Sequence, residues 1–245
     1  MIDLRFVIML HHETPINKRQ IALTAGFVGS AVEEQMPFSG KIIGYDPGGN
    51  DNHGVASLIV DDGLPIKLSF ATVRNAQAAL EWFTIDEMPI AAGIDTLTVL
   101  SMGDSGWRPA DLWLRENYPQ VQNSVVNPNY LQGAMSLNGL IVMVSLRSMF
   151  ENVMISETHP KVLYYHLAGV KYNYRINQKL MNEQLSQWVG LSINTEKDHE
   201  WDAAVSCFAV HEGLSKRWTT DLHQLPSIAD KVLVHIGGPS HFYWP

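Results

Sequence analysis

From residue 41 onward, apolar positions fall into short runs separated by turn-forming residues. Residues 42–45, 54–60 and 64–70 each read as a strand. Pro47-Gly48-Gly49 breaks the chain after the first, and Asp61-Asp62-Gly63 makes a tight turn between the second and third. The period then changes. Residues 75–83 predict a helix with Ala76, Ala79, Leu80 and Phe83 on one face. Ala91-Ala92-Gly93-Ile94-Asp95 is a further short strand, followed by a loop rich in Gly, Ser and Asp. A helix spans about 109–117 with proline at its start, residues 123–132 are irregular, and 135–150 predict a long apolar helix, read as buried core. Residues 153–157 form another strand, 161–167, 177–189 and 200–211 predict helices, and 232–236 are a last strand-like run before an aromatic end. A three-strand meander feeding alternating helices and strands implies an α/β fold, a mixed sheet with helices on its faces.

Residues 1–38 do not share this pattern; 4–10 read as a strand and 17–34 as a helix. They are either an added element that packs on the domain or mediates pairing, or sequence ahead of a natural start at Met36. The main domain is then 39–245. No internal repeat, linker or low-complexity tract is visible.

Composition narrows the function. Of 245 residues, 46% are hydrophobic and 17% charged, enough for a substantial core. With 17 Lys and Arg against 25 Asp and Glu, the net charge of −8 argues against a broad basic surface, though not against a local basic groove. A single cysteine, Cys207, permits neither an intramolecular disulfide nor a thiolate zinc cluster, and fits a small buried hydrophobe. No apolar run reaches membrane-spanning length and no signal peptide opens the chain, so a cytoplasmic setting away from membranes is expected.

The chemistry lies in the acids. Asp46, Asp95 and Glu157 each end an apolar strand. In parallel neighbouring strands those ends share one sheet edge, the edge where open α/β sheets bind ligands. Asp202 lies in His199-Glu200-Trp201-Asp202-Ala203-Ala204, the opening of a helix on which His199 and Asp202 share a side. Carboxylates gathered this way repel one another unless a cation neutralises them. Oxygen ligands without cysteine favour Mg2+ or Mn2+. Two such ions about 4 Å apart activate a water and stabilise the leaving oxygen of a phosphodiester. Taken singly, an acid after a strand also serves as a cap or turn residue, as Asp61, Asp62, Asp104 and Asp111 are read, and a lone histidine is an ordinary surface residue.

Other stretches carry two readings each. Trp107 to Arg115 is either a helix with tryptophan in the core and arginine at the rim, or a grip on a nucleic-acid strand. Residues 127–138 are a substrate loop or a capped turn. Lys161, Lys171, Tyr172 and Arg175 are a mild basic cluster, either phosphate-facing or simply solvated.

Gly44-Tyr45-Asp46-Pro47-Gly48 followed by Gly54-Val55-Ala56 resembles the first-strand motif of Holliday-junction resolvases of the ribonuclease H-like superfamily. His199-x-x-Asp202-Ala203-Ala204 resembles their closing-helix motif. Ile94-Asp95, Ser156-Glu157-Thr158-His159-Pro160 and Asp202-Ala203-Ala204 together are similar to an uncharacterised family described as predicted ribonuclease H-like nucleases. The resemblance covers about residues 41–212. It implies a ribonuclease H-like mixed five-stranded sheet flanked by helices, its first and fourth strands adjacent, and a metal-dependent nuclease acting on DNA or RNA by a two-metal-ion mechanism. By the same resemblance Asp46 and Asp95 bridge the Mg2+ or Mn2+ ions, Glu157 and Asp202 complete the site, and His199 assists proton transfer or product release. It also implies a homodimer. Two other classes stay open: an actin-like or sugar-kinase-like ATP-binding phosphotransferase, with Asp46-Pro47-Gly48-Gly49 holding phosphate, and a non-catalytic partner-binding domain on the same fold.

Overall fold

The computed structural model describes residues 37–102, 106–126, 133–226 and 233–245. The readings made above for residues 1–36, Asp104 and 127–132 lie outside these ranges. The described chain runs β1 (Gly40–Asp46), β2 (His53–Asp61), β3 (Leu64–Val73), α1 (Ala76–Phe83), β4 (Pro89–Ile94), β5 (Val99–Ser101) and α2 (Pro109–Asn117). A 3-10 turn (Pro119–Ser124), α3 (Gly133–Met149), β6 (Met154–Glu157), α4 (Pro160–Ala168), α5 (Tyr174–Val189) and α6 (Asp198–Leu214) follow. The chain ends with β7 (Thr220–Asp221), a 3-10 turn (Leu222–Gln224), β8 (Leu233–His235) and β9 (Tyr243–Trp244).

The main sheet is five-stranded and mixed, in the order β3-β2-β1-β4-β6. β1, β2 and β3 pair antiparallel, whereas β4 runs parallel to β1 and β6 parallel to β4. The register sets Tyr45 opposite Ile94 and Ile94 opposite Glu157, so β1, β4 and β6 finish at one edge. This is the α/β arrangement expected from the sequence, with β1 beside the fourth strand. Alternation divides each strand between two cores. Ile42, Ala56, Leu58 and Ala91 face the layer containing α6; Ile43, Tyr45, Val55, Ala92 and Ile94 face α1 and α3.

α6 lies on the sheet almost backbone to backbone. A Cβ at Gly54 would stand 1.8 Å from the His199 carbonyl oxygen, one at Gly44 1.9 Å from that of Ala203, and one at Gly93 2.4 Å from that of Ser206. Residues 199, 203 and 206 form one stripe of the helix, and their three glycine partners sit on β2, β1 and β4, so the stripe crosses three adjacent strands. Glu200 fixes where the helix starts: its carboxylate accepts from the Glu196 and Lys197 amides and from Thr72 of β3. Gly44→Ala is expected to destabilise the fold by about 1–3 kcal/mol or more, because the atom it strikes is main chain. Gly49→Ala, which meets nothing within 4 Å, is the control in thermal unfolding. Equal melting temperatures would contradict this seating of α6.

The helix expected as buried throughout over 135–150 is α3, and only one side of it is buried. Val142, Met143 and Leu146 are covered, whereas Met135, Leu137, Ile141, Val144 and Met149 are exposed. Its composition is apolar on both faces, so periodicity could not distinguish them. Of the run expected over 232–236, residues 233–235 form β8, which pairs with β5 and not with the main sheet. Among the described residues no helix is long and apolar enough to cross a membrane.

Candidate metal centre

Three acids meet where the strands end. Asp46 is the last residue of β1, and Asp95 follows β4, with its amide donating to the Tyr45 carbonyl at 2.9 Å, one further rung of the β1–β4 ladder. Asp46 pairs with Gly54 across the hairpin, so it shares the sheet face on which α6 rests. The same helix brings Asp202 down beside the strand ends. One carboxylate oxygen from each of Asp46, Asp95 and Asp202 lies within 4.8 Å of the others. Asp46 and Asp202 are buried and Asp95 partly so. His199, one helical turn before Asp202, points Nδ1 at Asp46 Oδ2 at 2.5 Å. His53 stands nearby, its Nδ1 2.7 Å from the Tyr45 hydroxyl.

The electrostatics match the crowding. Burial, followed by the charge of Asp46, pushes the Asp95 carboxyl up to about 8. Burial and then Asp46 also push Asp202 well above the usual carboxylate range. Lys161, at the start of α4, acts on both acids in the opposite direction. The bond to Asp46 raises His199 above the ordinary histidine value. Asp202 Oδ1 is buried and accepts no hydrogen bond of ordinary geometry, although the Tyr172 hydroxyl lies close enough to act on the Asp202 carboxyl. A carboxylate oxygen so placed beside two further carboxylates suits a hard divalent cation, for which all-oxygen donors are the normal ligands.

Protons and a divalent ion compete for these oxygens. The raised carboxyls hold protons beyond the ordinary acid range, so Mn2+ affinity is expected to climb as pH rises from about 5 to about 8 and then to level off. His199, kept charged toward higher pH by Asp46, pushes the same way. Calorimetric titration across that window checks this; an affinity flat with pH would show that no proton leaves on binding.

Glu157 is placed differently. It ends β6 as expected, but it is not in the three-acid group. Arg108 donates to both its oxygens, at 2.6 Å to Oε1 and 2.7 Å to Oε2. The Thr98 amide (2.9 Å) and hydroxyl (3.2 Å) also donate to Oε2, and His223 Nε2 lies 3.3 Å from it. Burial alone would raise this carboxyl; the Arg108 charge and the surrounding donors overcome that and hold it well below the usual range. Arg108 also grips Asp111 through two oxygens, at 2.6 and 2.9 Å, and donates to the Val99 carbonyl. The backbone amide of Arg108 bonds Asp111 as well, so Asp111 is the helix cap the sequence suggested.

Arg108 therefore lies in a closed ion cluster. Arg115 donates to the carbonyls of Gln122 and Val125 and stacks 4.9 Å over Trp107. Both arginines are engaged within the fold, as the helix reading of residues 107–115 expects. Lys161, Lys171 and Arg175 are exposed, while Tyr172 is partly buried with its ring packed 5.7 Å from that of Trp201, the residue before Asp202. The strand-to-acid pattern did not reveal Arg108, Lys161 or His53, since the contacts of each arise only in three dimensions.

No protein-family model matches the chain, and no curated protein matches it. Among solved structures it is similar to Thermus thermophilus RuvC, at 13% identity over 71% of this chain and 95% of that one, with a TM-score of 0.39. It is likewise similar to T. thermophilus RuvC in complex with Holliday junction substrate, at 12% identity with the same coverage and TM-score.

Proposed function

We propose that this chain is a metal-dependent nuclease that hydrolyses phosphodiester bonds of DNA or RNA, with Asp46, Asp95 and Asp202 holding Mg2+ or Mn2+. The observation that carries the proposal is the convergence of these three carboxylates from the ends of β1 and β4 and from α6. Bound divalent ions, two in this reading, supply a polarised water and neutralise charge at the phosphoryl group. The protein's part is to hold the ions and orient what surrounds them. His199 fixes the Asp46 carboxylate through Nδ1 and holds a proton there. Were a cation held at Asp46, the His199 proton would be free to serve a departing oxygen. Glu157 serves the site indirectly: through Thr98 it pins the loop that leaves Asp95. Lys171 and Arg175, exposed on either side of Tyr172, supply local positive charge for a phosphate backbone despite the acidic total. The homodimer implied by the resemblance belongs to the same proposal, and light scattering of the purified chain checks it.

The test is cleavage of single-stranded, duplex and branched DNA and of RNA in Mg2+, Mn2+ or EDTA. Metal-dependent cutting of any of these is expected. If Mn2+ binds and nothing is cut, the nucleic-acid substrate is wrong and a small phosphorylated one replaces it. Failure to bind Mn2+ at millimolar concentration removes the metal reading altogether.

A further inference from the structure

Three carboxylates packed against a sheet are relieved by protons, by a bound ion or by positive charge close by. Among the described residues, several basic side chains are engaged elsewhere in the fold. Arg108 is held by Glu157 and Asp111, and Arg115 by backbone carbonyls beyond α2. Lys41 lies at the opposite end of β1, donating to the Phe83 and Ile85 carbonyls at the end of α1.

Lys161 differs. It is the second residue of α4, which follows β6 almost directly. Its Nζ sits 5.6 Å over the ring of Tyr172. The same ring packs edge-on against Trp201, next to Asp202 in α6. The Tyr172 hydroxyl and Asp202 Oδ1 are both buried without a hydrogen bond of ordinary geometry, yet each acts on the other's acidity, so the ring beneath the ammonium reaches the acid cluster. We propose that Lys161 is the built-in counter-cation of the acid cluster, seated on Tyr172, and that an incoming divalent ion must compete with it, so that Lys161 sets metal affinity. The inference rests on the metal-centre reading above. Its electrostatic counterpart is mutual: partial burial would lower the lysine, yet Asp202, Asp95, Asp46 and Asp198 together raise it. Lys161 is the group that opposes the rise of Asp95 and Asp202.

The physical content is competition for one pool of negative charge. Without an ion, Lys161 offsets part of the repulsion among the acids. With an ion present, the ammonium and the ion repel. The arrangement keeps the empty site stable and weakens it toward metal.

The experiment is Mn2+ titration of the full chain by calorimetry at low salt, for wild type, Lys161→Met, Lys161→Gln and Lys161→Arg. Thermal unfolding of each is recorded with and without Mn2+. The Met and Gln variants should bind Mn2+ about tenfold more tightly, the size expected for removing one nearby unit charge opposed to a divalent ion in a highly screened setting. They should also melt lower without metal and gain more from it, and Arg should resemble wild type. Two neutral variants at an exposed position guard against one failing to fold. Unchanged or weaker affinity in both, with wild type binding Mn2+, overturns the counter-cation and leaves the metal centre standing. Binding by the variants alone supports it in extreme form. No binding by any of the four proteins overturns both readings.

Discussion

Asp46→Asn should reduce metal-dependent cleavage by about a thousandfold or more and leave the protein folded. The charge lost is worth several kcal/mol of transition-state stabilisation, at about 1.4 kcal/mol per factor of ten. The fold has little reason to object. Asn matches Asp in size, its oxygen still accepts from His199 Nδ1, and the β1–β2 ladder at this position is main chain. The charge of Asp46 is also what raises Asp95 and Asp202 beyond the effect of burial, so its removal relieves repulsion in the metal-free protein. Single-turnover rates on whichever substrate the panel identifies, set beside melting temperatures, check both halves. Cleavage within tenfold of wild type would sink the metal centre as the seat of the reaction.

The largest effect on stability is expected from Arg108→Met. Glu157 and Asp111 would then face each other as buried carboxylates, each about 3–4% exposed, with no cation between them. Removing one partner of a buried ion cluster costs about 3–5 kcal/mol. For a chain of this size that is a fall of roughly 6–20 °C in melting temperature. The pH dependence has a definite sign. The Glu157 carboxyl is held low in the folded protein, so its contribution is present above the ordinary glutamate range and lost as pH falls through and below it. The deficit of the variant should accordingly be full at neutral pH and shrink in acid. Glu157→Gln supplies the complementary result: Mn2+ affinity close to wild type, where Asp95→Asn loses most of it. A large loss of Mn2+ affinity in Glu157→Gln would return Glu157 to the metal.

The sequence made the sheet legible because each strand ends on an unambiguous break. Asp46 before Pro47-Gly48 and Asp95 after Ala91-Ala92-Gly93-Ile94 both carry that signal, and both reach the centre. Glu157 carries the same local signal and does not, because its fate depends on Arg108, 49 positions away, and on the loop from Asp95 folding back to deliver Thr98. Local pattern reports where a strand stops; it does not report which neighbour claims the last side chain. Lys161 illustrates the same limit, since its acids arrive from β1, β4 and α6. α3 escaped a correct reading for another reason: apolar residues on both faces leave no stripe to detect. The β5–β8 and β7–β9 ribbons pair only two or three residues each, too few for any period to show.

The seat of α6 also bears on which ion the site can use. A helix resting on side chains can drift outward as rotamers change; one resting on glycine backbone cannot approach further and gains nothing by retreating. The span from Asp202 to the strand ends is thus set by the thickness of the main chain. Were the three acids to hold an ion, as proposed, a seat of this kind would be expected to favour small ions such as Mg2+ over Ca2+, which takes its oxygens at longer distances in a looser shell. Fidelity toward ion radius would then originate in three glycines that never touch the ion.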